Sequence, residues 1–179
     1  DSTATMPAGT VFNTTVDDVS FQFSTIQSFT KSNTGNSIPF VGVDIFEGTF
    51  ITTRYTVDTS DIDQRFLLTD NRADTSTLIV KVQTSSTDSS SNTFTEATDI
   101  TQVTAGSNVF FLQEVEAGLF EVYFGDGVIG TALSDDNIVI LTYVVSNKTA
   151  ANGASLFTNA ATIASVTDIS VATAATASA

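Results

Sequence analysis

The stretch "TVFNTTVDDVSFQFST", Thr10 to Thr25, decides the fold class. With Asp17 and Asp18 as a two-residue turn, Val16 faces Val19, Thr14 faces Phe21 and Phe12 faces Phe23, while Asn13, Thr15, Ser20 and Gln22 fall on the other side. One face is apolar and the other polar, and the period-2 rule holds along both arms in a single register. That agreement predicts a β-hairpin.

Composition carries the same reading outward from the hairpin. By count, 51 of the 179 residues are Ser or Thr, 14 are Phe and only 2 are Pro. Thr, Val, Ile and Phe suit a pleated, half-buried surface, and amphipathic helical periodicity is hard to find anywhere in the chain. The expected fold is all-β: antiparallel hairpins and meanders packed as a β-sandwich-like module. "VGVDIFEGTFITTRYTV", Val41 to Val57, is long enough for two strands with a bend or bulge at Gly48. "TLIVKVQ", Thr77 to Gln83, alternates as a further strand, whereas "TSSTDSSSNT", Thr84 to Thr93, reads as a solvated loop tip or linker.

A second hairpin is expected in "VFFLQEVEAGLFEVYF", Val109 to Phe124. An Ala117-Gly118 turn would set Val115 opposite Phe120, Gln113 opposite Val122, Phe111 opposite Phe124, and Glu114 directly across from Glu121. Like charges facing each other on a sheet destabilise it. Glu114 and Glu121 are therefore expected to meet a basic partner surface or a cation, or else to splay into water. "NIVILTYVV", Asn137 to Val145, is apolar on both alternating faces, as for a strand covered on both sides, either as core or as a subunit contact that would include Tyr143. The closing "ATIASVTDISVATAATASA" offers one strand and then an Ala/Thr/Ser tail. The expected organisation is a main β-rich domain over 9–57 and 108–173, a smaller lobe or insertion over 58–107, and a loose tail over 174–179.

With 20 acidic residues against 6 basic, the chain carries a formal net charge of −14 and a pI near 4.1. Such a field repels nucleic acid and anionic membranes, and favours basic protein partners, bound cations or plain solubility. Cys and His are both absent, which removes disulfides, thiol catalysis, imidazole bases and His-based triads together. There is no apolar run near the length of a membrane span. The sequence opens on Asp1 and reads as a piece of something longer.

"FEVYFGDGVIG", Phe120 to Gly130, runs a strand into three glycines around one aspartate. A phosphate cradle needs glycines that open a helix, with a Lys close by in the Walker type; here a polar turn and another strand follow, and no Lys is near. An EF-type calcium loop needs more oxygen ligands than Asp126 and its neighbours supply. Asp58, Asp61 and Asp63, or Asp70 and Asp74, are better candidate calcium ligands, although Asp in polar turns is commoner. A glycosidase-like carboxylate pair, Glu114 with Glu121 or Asp126, lacks the aromatic floor of a sugar cleft, since there is no Trp and only 3 Tyr. What remains is geometry: Gly125, Gly127 and Gly130 permit a sharp exit from the strand, and Asp126 can bond its own turn backbone.

These residues also carry a resemblance. "FEVYFGDGVIG", the turn at "LSDDN", the strand "IVILTYVVSN" and "AANGASLF" follow one another in the order seen in baseplate wedge proteins of contractile-tailed myoviruses, especially those infecting cyanobacteria. A shorter form of the pattern is similar to the baseplate J-like family. "IFEGTFITTRYTV" and "DQRFLLTDNRADTSTLIVKVQ" also look like the wedge proteins, so the likeness runs from about Gly9 to Thr173 and is most specific over Phe120 to Phe157. Thr131 and Ala132 stand where a basic pair often follows the last glycine, and Asp135-Asp136 where Asp-Gly is usual.

The resemblance implies structural work without catalysis, cofactor or metal. The partners it implies are other wedge subunits and a second copy of the chain, in a ring around the hub of a virion tail assembled in the host cytoplasm. It implies an interface, for which Glu114, Glu121, Tyr123 and Tyr143 are the candidates, while Gly125, Asp126, Gly127 and Gly130 build a corner. A carbohydrate- or receptor-binding β-domain of a tail or surface protein is the alternative; its support would be aromatic grooves, and few Tyr and no Trp are present.

Overall fold

The computed structural model describes residues 3–33, 35–159, 161–173 and 175–178. The chain is all-β, and it divides into two compact units, Asp1–Phe50 with Val144–Ala179, and Ile51–Tyr143. The inserted unit is therefore larger than the expected 58–107, because the strands on both sides of that segment pack with it.

In the first unit, β1 (Thr3–Met6) pairs antiparallel with β4 (Phe29–Ser32), and β2 (Val11–Val16), β3 (Val19–Ser24) and β5 (Phe46–Glu47) form a three-stranded sheet. The β2–β3 register is the expected one, with Phe12 opposite Phe23, Thr14 opposite Phe21 and Val16 opposite Val19. Asp17 and Asp18 both take positive φ, 49° and 63°, as a two-residue turn matched to strand twist requires. The apolar face of the hairpin joins Met6, Ala151, Ala154 and Ile163 in a buried cluster, and the Phe23 and Phe157 rings meet edge to face at 4.9 Å. The outer edge of β2 is covered at one point, where Asn13 and Thr158 exchange backbone hydrogen bonds of 2.8 and 2.9 Å.

The last segment forms no strand among its described residues; it contributes an isolated bridge between Ile163 and Val166. Ala177, in the stretch expected to be loose, accepts from the Gly153 N–H at 2.9 Å and donates to the Ala154 carbonyl at 2.9 Å. Ala174 and Ala179 lie outside the described residues.

The second unit is built on a seven-stranded sheet of β6 (Thr49–Thr56), β7 (Phe66–Leu68), β8 (Ala73–Ser85), β9 (Asp88–Glu96), β10 (Val109–Glu114), β11 (Phe120–Phe124) and β12 (Ile138–Val145). The order across it is β6-β12-β8-β9-β10-β11-β7. The sheet curls until its edges nearly meet: the Tyr55 hydroxyl on β6 donates to the Leu67 carbonyl on β7 at 2.6 Å. Along this seam Tyr55, Phe66, Phe124 and Phe94 stack edge to face, with centroid spacings of 5.7, 5.6 and 5.4 Å. Leu68, Val80, Val122, Val139, Leu141 and Tyr143 fill the interior with almost no exposure.

Two departures from expectation matter. The polar segment Thr84 to Thr93 is not a loop: it closes the β8–β9 hairpin, with Lys81 opposite Thr93 and Gln83 opposite Ser91. Its Ser and Thr side chains suit an exposed strand once β8 supplies a partner. A bulge lies between Gln83 and Ser85, where the Asp88 carboxylate takes the Ser90 N–H at 2.9 Å. Second, β10 pairs parallel with β9 at Val109 and Phe110, next to the antiparallel β8–β9 and β10–β11 ladders.

Candidate functional site

The corner after β11 is built from close backbone approach. Gly125 bridges to Ala132, and a Cβ on Gly125 would be driven into the Ile129 carbonyl and the Gly130 backbone. Gly127 and Gly130 hold φ of 85° and 82°, where an L side chain is strained. The Gly127 N–H donates to the Gly130 carbonyl at 3.0 Å, and the Gly130 and Thr131 N–H groups donate to the Thr104 and Ser107 carbonyls at 3.1 and 2.9 Å. One oxygen of Asp126 accepts from both the Ile129 and Val128 N–H groups at 2.9 Å. These two bonds hold the Asp126 carboxyl below its ordinary range. The turn thus has a concave pair of N–H donors, and the chain's own carboxylate fills it. A phosphate would have to displace Asp126 and find no helix behind the donors. At the tip, Val128 and Ile129 stand 73% and 41% exposed.

The four candidate interface residues separate into two kinds. The β10–β11 hairpin pairs Gln113 with Glu121 and Glu114 with Phe120, one residue away from the expected register. Its loop holds Glu116, Ala117 and Gly118 between Val115 and Leu119, whose N–H and carbonyl bond at 2.8 Å, so the turn is longer by one residue than Ala117-Gly118 alone. Glu114 is exposed and does not face Glu121. Glu121 is 4% exposed and has its cation within the chain: Arg65 Nε and Nη2 lie 2.8 and 2.7 Å from its Oε2. Glu116 lies 3.9 Å from the same guanidinium. The hydrogen bond to Glu121 pushes the Arg65 pKa up.

Tyr123, on the same face of β11, is 40% exposed; desolvation first and the Glu121 carboxylate second push its phenol up. Tyr143 is fully buried, its hydroxyl accepting from the Thr69 N–H at 3.0 Å and lying 3.1 Å from the Thr69 hydroxyl. Glu121 and Tyr143 are therefore interior groups, and Glu114 and Tyr123 reach the surface.

Of the aspartates weighed as calcium ligands, Asp58, Asp61, Asp70 and Asp74 serve their own turns, as do Asp88 and Asp99 elsewhere in the unit. Asp58, Asp74, Asp88 and Asp99 each accept from both the N–H and the hydroxyl of the Ser or Thr two positions on. Asp61 accepts from the Asp63 N–H at 3.0 Å, and Asp70 is held by the Arg72 backbone and guanidinium. The serine hydroxyl and N–H hold the Asp58 and Asp88 carboxyls low, those of Thr101 do the same for Asp99, and Arg72 for Asp70. Among the described residues no group of three or more His, Cys, Asp or Glu converges as a metal site.

Sequence reasoning did not single out the groove of about 610 Å³ lined by the segment Val57–Phe66 and β11, together with Gly125 and Leu133. Its loop is stapled. The Gln64 side chain donates to the Thr56 carbonyl at 2.8 Å and accepts from the Asp58 N–H at 3.0 Å, and the Asp135 carboxylate takes the Thr59 N–H at 3.0 Å. Ile62, at the tip, is 93% exposed. Arg65 and Ile62 carry no periodic signal, since they sit in a polar break, and Glu121, which pairs with Arg65, lies 56 residues away in sequence.

No helix among the described residues is long and apolar enough to cross a membrane. No protein-family model matches the chain, and no curated protein matches it.

Proposed function

We propose that this chain is a structural assembly module of a phage tail baseplate wedge, which works by contacting neighbouring wedge subunits and a second copy of itself in the ring around the tail hub of a virion. Its mechanism is surface complementarity between rigid β blocks, with acidic faces selecting which neighbours dock. The corner carries this reading. The stretch that bears the resemblance folds as a closed turn in which Asp126 is engaged with its own backbone, so that the groups it presents outward are the apolar side chains of Val128 and Ile129. A turn of that kind suits contact rather than ligand capture.

The test is co-expression of the chain with baseplate wedge subunits of a contractile-tailed myovirus, followed by size-exclusion chromatography and negative-stain microscopy. Wedge- or ring-shaped heteromers that include the chain are expected. A chain that elutes alone in every combination overturns the reading.

A further inference from the structure

We propose that the groove between the Asp58–Gln64 loop and β11 docks an extended, lysine- or arginine-bearing segment of a partner protein, with Ile62 as its apolar anchor. This rests on the assembly reading and names the chemistry of one neighbour.

Three observations converge. Ile62 is 93% exposed, yet its loop is held at both ends by Gln64 and from the side by Asp135, so the side chain is displayed by a preorganised scaffold. Displaying a large apolar group in a fixed place lowers the ordering cost of binding, as in interface anchors. Half-exposed Tyr123 also lines the groove. Finally, the carboxylates of Asp61, Asp63, Glu116 and Glu121 stand in or beside the groove with Arg65 among them, and Arg65 is already engaged with Glu121.

The surplus is negative, and a cationic segment complements it. A second copy of this chain fits poorly there: at net −14 it brings its own acidic field, and Arg65 and Arg72 already hold internal ion pairs. The groove is also open, and consecutive residues of β11 from Glu121 to Phe124 line it, which suits an extended peptide more than a compact ligand.

The probe is a fluorescent peptide alternating lysine with valine, read by anisotropy on the intact chain, with a glutamate-valine peptide as control. The lysine peptide is expected to bind and the glutamate peptide not to. Ile62→Ser should weaken binding about tenfold, the loss of one anchor. The double variant Asp61→Asn and Asp63→Asn should weaken it several-fold at low salt, and raised salt should abolish the difference. Asn keeps the turn acceptor at position 61, and an exposed Ile62 leaves the fold indifferent to its loss, which a melting curve verifies.

Asp17→Asn with Asp18→Asn, on the other unit, separates site from bulk charge. Equal weakening by that pair, or indifference to Ile62→Ser, overturns the groove. If heteromers with tail proteins form and survive Ile62→Ser unchanged, the groove inference fails while the assembly reading stands. If no heteromer forms with the unaltered chain, the assembly reading fails, and peptide binding still judges the groove.

Discussion

The hairpins β2–β3 and β10–β11 turn over loops that differ by one residue. Asp17-Asp18 closes the first with both residues at positive φ, and Glu116-Ala117-Gly118 closes the second with Ala117 at 62° and Gly118 at 71°. In the first, side-chain alternation and loop length enforce the same pairing. In the second, Val109, Phe110, Phe111 and Leu112 are all apolar, so a one-residue slip costs little on the strand itself and the loop sets the register. The consequence reaches the charges. The polar face of β2–β3 carries neutral Asn13 and Gln22 facing each other, whereas the corresponding face of β10–β11 buries Glu121 beneath Arg65. The longer loop puts Gln113, and not Glu114, across from Glu121 on the face where Arg65 pairs with it.

The largest effect that would break this contrast lies where the second hairpin runs into its corner. Gly125→Val forces a branched side chain into the Ile129 carbonyl and should destabilise unit 2 by about 3 kcal/mol or more. Chemical denaturation followed by amide exchange checks this, and an unchanged midpoint would refute the corner geometry. Next, Arg65→Ala strands a buried carboxylate. Because the guanidinium is 41% exposed and partly screened, the loss should be smaller than for a fully buried pair, yet larger than for an exposed one. Glu121→Gln should cost less than Arg65→Ala, since an amide still accepts a hydrogen bond. Stabilisation by Glu121→Gln would mean that Glu121 lacks its cation.

Smaller effects test the turns themselves. Asp17→Asn with Asp18→Gly installs the residues favoured at positive φ and should raise stability by about 1 kcal/mol, while Ala117→Asn should gain about 0.5 kcal/mol. Thermal melts measure both, and a loss in either would contradict the left-handed conformations.

The smallest individual effects concern acid. Asp58, Asp70, Asp88, Asp99 and Asp126 all lie in unit 2 with carboxyls held below the ordinary range. A depressed folded pKa gives stability that is complete above the unfolded value and is lost as pH falls through the folded one. Unit 2 should therefore weaken as pH drops below about 4, and Asn at positions 58, 88 and 99 should flatten that dependence. Exchange rates of unit 2 amides against pH would show it; a pH-independent unit 2 would contradict the carboxylate bonds.

The sequence made legible whatever was local and periodic. Alternation across Thr10 to Thr25 fixed one hairpin in its register, and the glycine spacing from Gly125 to Gly130 located the corner. What stayed hidden depends on distant partners. Nothing in "TSSTDSSSNT" signals that β8 will turn Ser and Thr into strand residues, because the pairing energy is supplied by the other strand. Glu121 looked like a surface acid because its strand alternates, and only the arrival of Arg65 from 56 residues upstream makes its burial tolerable. Tyr143 lies on a strand apolar on both faces, a pattern shared by core and interface; Thr69 satisfying its hydroxyl inside the chain decides the matter for that residue. The groove at Ile62 had no sequence signature, since it is made by a loop and a strand that no periodicity connects.

Because unit 1 is drawn from Asp1–Phe50 and Val144–Ala179, its opening segment leaves the ribosome with the whole of unit 2 still to be translated. Phe12 and Phe23 then travel without Ala151, Ala154, Phe157 and Ile163 to cover them. Unit 2, whose entering and leaving strands β6 and β12 are sheet neighbours, can close first, as a nascent domain does when its own ends meet. A chain truncated just beyond Tyr143 would carry a finished inner module attached to a sticky, half-made one, the species a cell would hand to its chaperones or proteases.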